Sequence, residues 1–286
     1  MKPLVREGET VSENQVLAAV VPVVKQFPCS RKTSQEYYVA QLSSSSLSER
    51  YAAAKALSTF ESESVSKALI DKVNESNEHI YVRLEAAASL ARHNEEHGWL
   101  FISQCLGDEY LQNRLEAVIV LGEIPSDISC RLLCRVVTDN RQHPEIRAGA
   151  AWALGELDNS LALDVLIDSF SAVDEGVRIE AARALAKLAS HFTKEIVDEF
   201  PQAPLDKRPG IAWALSKSGR FKLEDLLKAL VDEDARHWVS YILGTQDQQR
   251  YIDQIERLRE RDSEVYFAVT VLWKIMTSWV YNLEEY

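Results

Sequence analysis

The sequence predicts an all-α protein, a stack of about seven to eight helical hairpins, and three observations carry that prediction. Residues that break regular helix are scarce: 10 Gly and 8 Pro in 286 residues, roughly half the average usage, leave little room for the many turns of a sandwich or barrel. A nine-residue pattern led by Arg recurs along most of the chain. Between its copies lies a second, separate apolar stretch, so each repeat carries two helices rather than one.

The recurring pattern is Arg, two variable residues, two small or apolar residues, one variable, a small residue, Leu and another small residue. It reads Arg83-Leu-Glu-Ala-Ala-Ala-Ser-Leu-Ala91 in one copy and Arg147-Ala-Gly-Ala-Ala-Trp-Ala-Leu-Gly155 in another. The other copies are led by Arg50, Arg114, Arg178, Arg208 and Arg236, and a degenerate eighth starts at Val265 without the Arg. Successive copies are offset by 33, 31, 33, 31, 30, 28 and 29 residues. The third, fourth and seventh positions after the Arg share one face of a 3.6-residue helix, and the small residues on it let a neighbouring helix come close. The intervening stretches, such as Trp99–Leu106, Leu163–Phe170 and Leu223–Leu230, supply the second helix of each hairpin. Asp108, Asp139, Asp174, Asp234 and Asp262 close them. Two antiparallel helices of about ten to fifteen residues cannot bury an apolar face alone, so the units must stack. Length divided by a typical domain would suggest two domains; the repeat makes one continuous solenoid over 46–262, with a helical cap at 1–45 and a degenerate repeat and cap at 263–286. Within the first cap, Leu17, Val20, Val21, Val24 and Phe27 fall on one helix face, which predicts a core helix bent near Pro22.

These copies resemble the HEAT-like repeat family, of the short-repeat type known from phycobilisome lyases, over roughly residues 46–275. The resemblance implies a right-handed α-solenoid with the Arg-led helices lining the concave face. It also implies that the leading Arg side chains are structural, pairing with Asp or carbonyl groups at the turns of adjacent units. It says little about function, because one scaffold serves unrelated tasks.

Function therefore has to be read from variable positions. Positions two, five and nine after each Arg lie opposite the small residues and form the expected groove row. They are Glu85, Ala88 and Arg92; Glu116, Ile119 and Glu123; Gly149, Trp152 and Glu156; Glu180, Arg183 and Lys187; Gly210, Trp213 and Lys217; and Trp238, Tyr241 and Thr245. Trp152 and Trp213 share one repeat position, each with a Gly three residues earlier. Such a Gly costs about 1 kcal/mol in a helix, and the expected return is space beside the indole for a ligand. The early part of the row is acidic and the later part basic. The candidate protein-binding residues are Glu116, Glu123, Trp152, Glu156, Arg183, Lys187, Trp213, Lys217, Trp238 and Tyr241, since Trp, Tyr and Arg are common interface anchors.

Charge narrows the partner. Lys plus Arg is 32 against 44 Asp plus Glu, a net −12, which argues against nucleic acid and anionic membrane and for a protein with a basic or mixed-charge surface. Cys29, Cys105, Cys130 and Cys134 make no CxxC, so a reducing, cytoplasmic setting is expected, and no run reaches the ~18 apolar residues of a membrane span. His93-Asn-Glu-Glu-His97 matches a zinc motif literally but falls where the repeat ends a helix, with Gly98 read as a stop signal. No His is followed by Glu, unlike the paired His-Glu metal ligands of HEAT-like deoxyhypusine hydroxylases. No phosphate loop or nucleophile elbow is present. The expected function is a non-catalytic adaptor, or an inhibitor or immunity-type binder, without cofactor; the alternative implied by the resemblance is a bilin lyase or chromophore-handling chaperone.

Overall fold

The structure, a computed structural model, describes residues 34–200 and 202–218 as continuous stretches. Outside them it describes 2–3, 10, 18–19, 238, 241–242, 256, 259–260, 266–267 and 270. Most of the seventh and eighth copies, including Arg236, Gly244 and Thr245, thus lies outside the described residues.

The chain is an α-solenoid. A short α1 (Gln35–Gln41) leads into Arg-led helices α2 (Leu47–Ala56), α4 (Ile80–Arg92), α6 (Leu111–Gly122), α8 (Pro144–Glu156), α10 (Glu175–Leu188) and α12 (Arg208–Ser218). These alternate with α3 (Glu63–Asn74), α5 (Glu96–Cys105), α7 (Asp127–Thr138), α9 (Leu163–Asp168) and α11 (Thr193–Glu199). The last two are shorter than the repeat suggests, and α9 is flanked by 3₁₀ turns at Ser160–Ala162 and Ser169–Ser171.

Side-chain caps set several of the helix starts. Ser62, Ser126 and Asp174 cap α3, α7 and α10 by accepting the backbone N–H three residues on, at 3.3, 3.1 and 3.3 Å, which satisfies a donor that has no partner within the helix. His79 and His143, each four residues before a leading Arg, do the same with Nδ1, accepting from the N–H of Tyr81 and Glu145. Two of the six histidines are thereby absorbed as caps. The turn from an Arg-led helix to the next outer helix also repeats. Asn94 and Asp158, eleven residues after Arg83 and Arg147, both take the left-handed conformation, at φ 60° and 50°, which their short polar side chains tolerate better than most.

The predicted buried face is the observed one. Ala86, Ala87 and Leu90 of α4, Ala117, Val118 and Leu121 of α6, and Ala150, Ala151 and Leu154 of α8 are fully buried in one continuous core. Successive Arg-led helices pack on one another extensively, whereas α3 meets α5 and α7 meets α9 only lightly. The tighter layer of a stack is the inner side of its bend. Gly122 and Gly155 hold that spacing: a Cβ on Gly155 would lie 2.8 Å from Ala184 Cα, and one on Gly122 would lie 3.0 Å from Ala153 Cβ.

The leading Arg side chains pin the hairpins, as expected, but through carbonyls and amides rather than Asp. Arg83 and Arg147 donate Nε–H to the carbonyls of Val73 and Val137, both at 2.8 Å. Arg178 reaches Ala172 and Val173, and Arg208 reaches Ala203. Arg114 donates to Gln142, which itself donates to Leu106 O. Arg50 likewise donates to a carbonyl, Ser44 O at 2.9 Å, and adds two bonds to the Glu78 carboxylate at 2.8 and 2.9 Å.

Three sequence expectations are corrected. Ala18–Ala19 form a strand, β2, paired antiparallel with β1 (Lys2–Pro3), where the apolar spacing predicts helix. The rest of that stretch lies outside the described residues. Gly98 is no stop signal. It is buried inside α5, where a Cβ would meet Ala87 O at 2.3 Å; the helix ends instead at His93 and Asn94. Finally, Gly149 and Gly210 do not open space beside the indoles. A Cβ on Gly149 would touch Leu115 at 3.1 Å and one on Gly210 would strike the Phe170 ring at 2.6 Å, so both glycines are packing positions.

Candidate protein-binding groove

The row at positions two, five and nine runs along the exposed side of the Arg-led helices, and side chains from different units meet on it. At its start Lys55 of α2 reaches Glu123, at the end of α6, with Nζ–Oε2 2.6 Å. The pair spans α4, which requires the faces of α2 and α6 to converge, as they do on the inside of a bend. Arg92 lies between, 3.4 Å from Glu85 and 3.6 Å from Glu123. Glu85 and Ala88, expected on the surface, are buried, Glu85 with 1% exposure. Neighbouring units cover α4 here, which helix periodicity alone does not reveal. The Glu85 Oε2 atom has no partner at hydrogen-bond distance.

Three carboxylates crowd this end. Burial, then Glu85 and Glu123, raise the pKa of half-buried Glu116 above the ordinary carboxylate value. Burial and the same negative charges push the Tyr51 phenol up. Lys55 is the fifth residue after Arg50, so extending the groove row back to the first copy would have found it.

The middle of the row is apolar and open. Ile119 is 36% exposed and Trp152 44%. Beyond them a cleft of about 670 Å³ is lined by Trp152, Glu156, Glu180, Arg183, Lys187 and Lys217, with Gly155, Ala184 and Ala186 among its walls. Five of the ten candidate residues meet in this one cleft. Lys187 pairs with Glu156 across units and Arg183 with Glu180 within its helix. The Lys217 ammonium lies 5.7 Å over the ring of Trp213 and has no carboxylate partner among the described residues.

The far end is more closed. Trp213, Trp238 and Tyr241 are half-buried and pack on the core, the last two in edge-to-face contact at 6.2 Å. Trp213 therefore does not mirror Trp152, although they share a repeat position; Gly210 seats its helix on Phe170, while Gly149 seats on smaller aliphatics. The His93–His97 stretch spans the end of α4 and the start of α5, so its two imidazoles do not sit on one helix. Among the described residues no cluster of three or more His, Cys, Asp or Glu could hold a metal ion, and no helix is long and apolar enough to cross a membrane.

Stacked two-helix units with a pinned Arg at a fixed position define an α-solenoid. More closely, residues 100–189, less than half of the chain, match the family model described as HEAT repeats. No curated protein matches the sequence. Among solved structures, the chain is similar to the complex of two subunits of phycocyanin lyase from Nostoc sp. (19% identity, 88% of this chain and 99% of that one, TM-score 0.40). It is also similar to human deoxyhypusine hydroxylase in complex with glycerol (20% identity, 72% and 83%, TM-score 0.40). A third is a designed armadillo repeat protein in complex with the peptide (KR)4 (16% identity, 84% and 99%, TM-score 0.33). Likeness at this level leaves function to this chain's own residues.

Proposed function

We propose that this solenoid, taken as one unit over 46–262 with caps at 1–45 and 263–286, is a non-catalytic interaction module. It grips a protein or peptide partner of basic or mixed charge in the groove lined by Glu116, Glu123, Trp152, Glu156, Arg183, Lys187, Trp213, Lys217, Trp238 and Tyr241. One observation carries the reading: Trp152 keeps 44% of its surface in water at the mouth of a cleft rimmed by charged side chains. Covering the rest of an indole is worth roughly 1–2 kcal/mol, and an aromatic anchor inside a polar rim is the common anatomy of an interface centre. The surrounding ion pairs are exposed, so they contribute little to folding and are available to choose a partner.

The test is affinity capture from the native cell with the full chain and with Trp152→Ala. The variant keeps the helical circular dichroism signal and loses the partner; retention of the same partner by both would sink the groove reading. Incubation with bilin addresses the pigment-handling alternative, and a new, shifted visible absorption band would overturn the non-catalytic module.

A further inference from the structure

The charges along the groove are ordered, and the order says what shape of partner fits. At the first end, Glu85, Glu116 and Glu123 face Lys55 and Arg92, so one carboxylate is in excess among the described residues. At the other, Arg183, Lys187 and Lys217 face Glu156 and Glu180, so one cation is in excess. Ile119 sits among the carboxylates on α6, and the exposed Trp152 of α8 separates the two ends. The groove is thus acidic, then apolar, then basic.

Spacing adds a second constraint. Packed helices lie about 8–10 Å apart, and an extended chain rises about 3.1–3.4 Å per residue, so each unit is matched by about three partner residues. In a β-strand side chains alternate in direction, so a step of three turns opposite faces to successive units. In a polyproline-II segment three residues complete one turn, so every third side chain faces the groove.

We infer that the groove takes a polyproline-II-like segment of a partner protein, about ten residues long, with an Arg or Lys at one end, apolar side chains in the middle and an Asp or Glu at the other. The cationic side chain meets Glu116 and Glu123 beside Ile119, an apolar one a turn further on covers Trp152, and the carboxylate meets Lys217 and Arg183. The inference rests on the groove being the binding surface and adds to it the conformation and charge order of what binds.

The experiment pans the full chain against a display library of peptides of about twelve residues, long enough for four such contacts. Enriched sequences are then measured by fluorescence anisotropy against the parent, Glu123→Lys, Lys217→Glu and Trp152→Ala. Glu123 and Lys217 are exposed, so the charge reversals leave the fold intact, which circular dichroism checks. The expected peptides place a basic and an acidic residue about nine apart with apolar residues at intervals of three. Each charge reversal weakens them on the order of tenfold, and reversing the matching peptide charge restores binding. Enriched peptides without that order, or binding that ignores Glu123→Lys and Lys217→Glu but is lost in Trp152→Ala, overturn this inference and spare the groove. A library that yields no binder also overturns it. Peptides indifferent to all three variants overturn the groove reading with it.

Discussion

Replacing Gly98 by Ala is a one-carbon change that the geometry makes costly. In most helices this exchange stabilises by up to about 1 kcal/mol. Here the new Cβ would sit 2.3 Å from Ala87 O, 2.6 Å from Ala91 N and 3.0 Å from Leu90 Cβ. The first two are backbone atoms of α4 and cannot rotate away. Restoring ordinary contact distances of about 3.5 Å requires α5 to retreat by roughly 1 Å, which forfeits a quarter to a half of the dispersion energy along that seam. Overpacking of this kind costs about 1–3 kcal/mol and occasionally more. Gly98 is in the first turn of its helix, so the propensity gain offsets little, and the expected net loss stays at about 1–3 kcal/mol. At about 2–4 °C per kcal/mol for a chain of this order of size, Tm falls by roughly 2–12 °C. Three further substitutions calibrate the argument. Gly155→Ala puts a Cβ 2.8 Å from Ala184 Cα and is expected to cost less, because a neighbouring helix can slide by a few tenths of an ångström. Gly122→Ala, at 3.0 Å from a methyl, is nearly neutral, and Gly107→Ala meets nothing closer than 3.6 Å and is harmless. Urea titration followed by circular dichroism reads the series. If Gly98→Ala proves as stable as Gly107→Ala, the seating of α5 on α4 is wrong.

Other consequences can be measured in the same way. Burial alone would raise the pKa of Glu78, but Arg50, the His79 N–H and Lys72 outweigh it and hold it at about 2. Its lowered folded-state pKa means the stability it contributes is present above the usual carboxylate range and drains away as pH falls toward 2. Glu78→Gln should thus cost about 2–3 kcal/mol at neutral pH, with the difference from the parent vanishing in acid denaturation profiles near pH 2. Glu116 has the opposite sign: its raised pKa means that ionisation opposes folding. Glu116→Gln should raise stability at pH 7, by less than about 1 kcal/mol because solvent screens a half-buried charge, and the gain, read as Tm, should fade below the ordinary carboxylate pKa. Arg83→Ala removes both the bond to Val73 O and a guanidinium stacked 4.7 Å above the Phe101 ring, and should cost about 1–3 kcal/mol in urea titrations. Arg141→Ala, which breaks only an exposed pair with Asp139, should leave Tm unchanged.

Much of the architecture was legible because the Arg-led pattern reports angle around a helix. The third, fourth and seventh positions had to face a neighbour, and they do. The same angular information placed Trp152, Glu156, Arg183, Lys187 and Lys217 on one face, and the cleft unites them. Position within a repeat does not, however, report what the next unit lays over it. Glu85 and Ala88 have the right angle for the groove yet are enclosed by α2 and α6. Trp213 shares the register of Trp152 but leans on the core, and the space beside Gly149 and Gly210 is already filled by Leu115 and Phe170. Gly98 misled because a glycine after a polar run resembles a helix end, whereas its role depends on a backbone approach that only the packed structure reveals.

The hydrogen bonds that tie one unit to the next join residues separated by nearly the same stretch of chain. Arg50 to Glu78 spans 28 residues, Asn159 to Asp127 32, His191 to Asp158 33, and Ser89 to Ala54 35. These separations are only about a tenth of the chain length, which places the protein with the fast-folding helical topologies. Apart from the Lys55–Glu123 pair, which waits for the unit after next, a hairpin leaving the ribosome completes these bonds with its successor about thirty residues later, a delay of a few seconds at about 5–20 residues per second. Assembly can therefore keep pace with synthesis, each new unit closing the one before it.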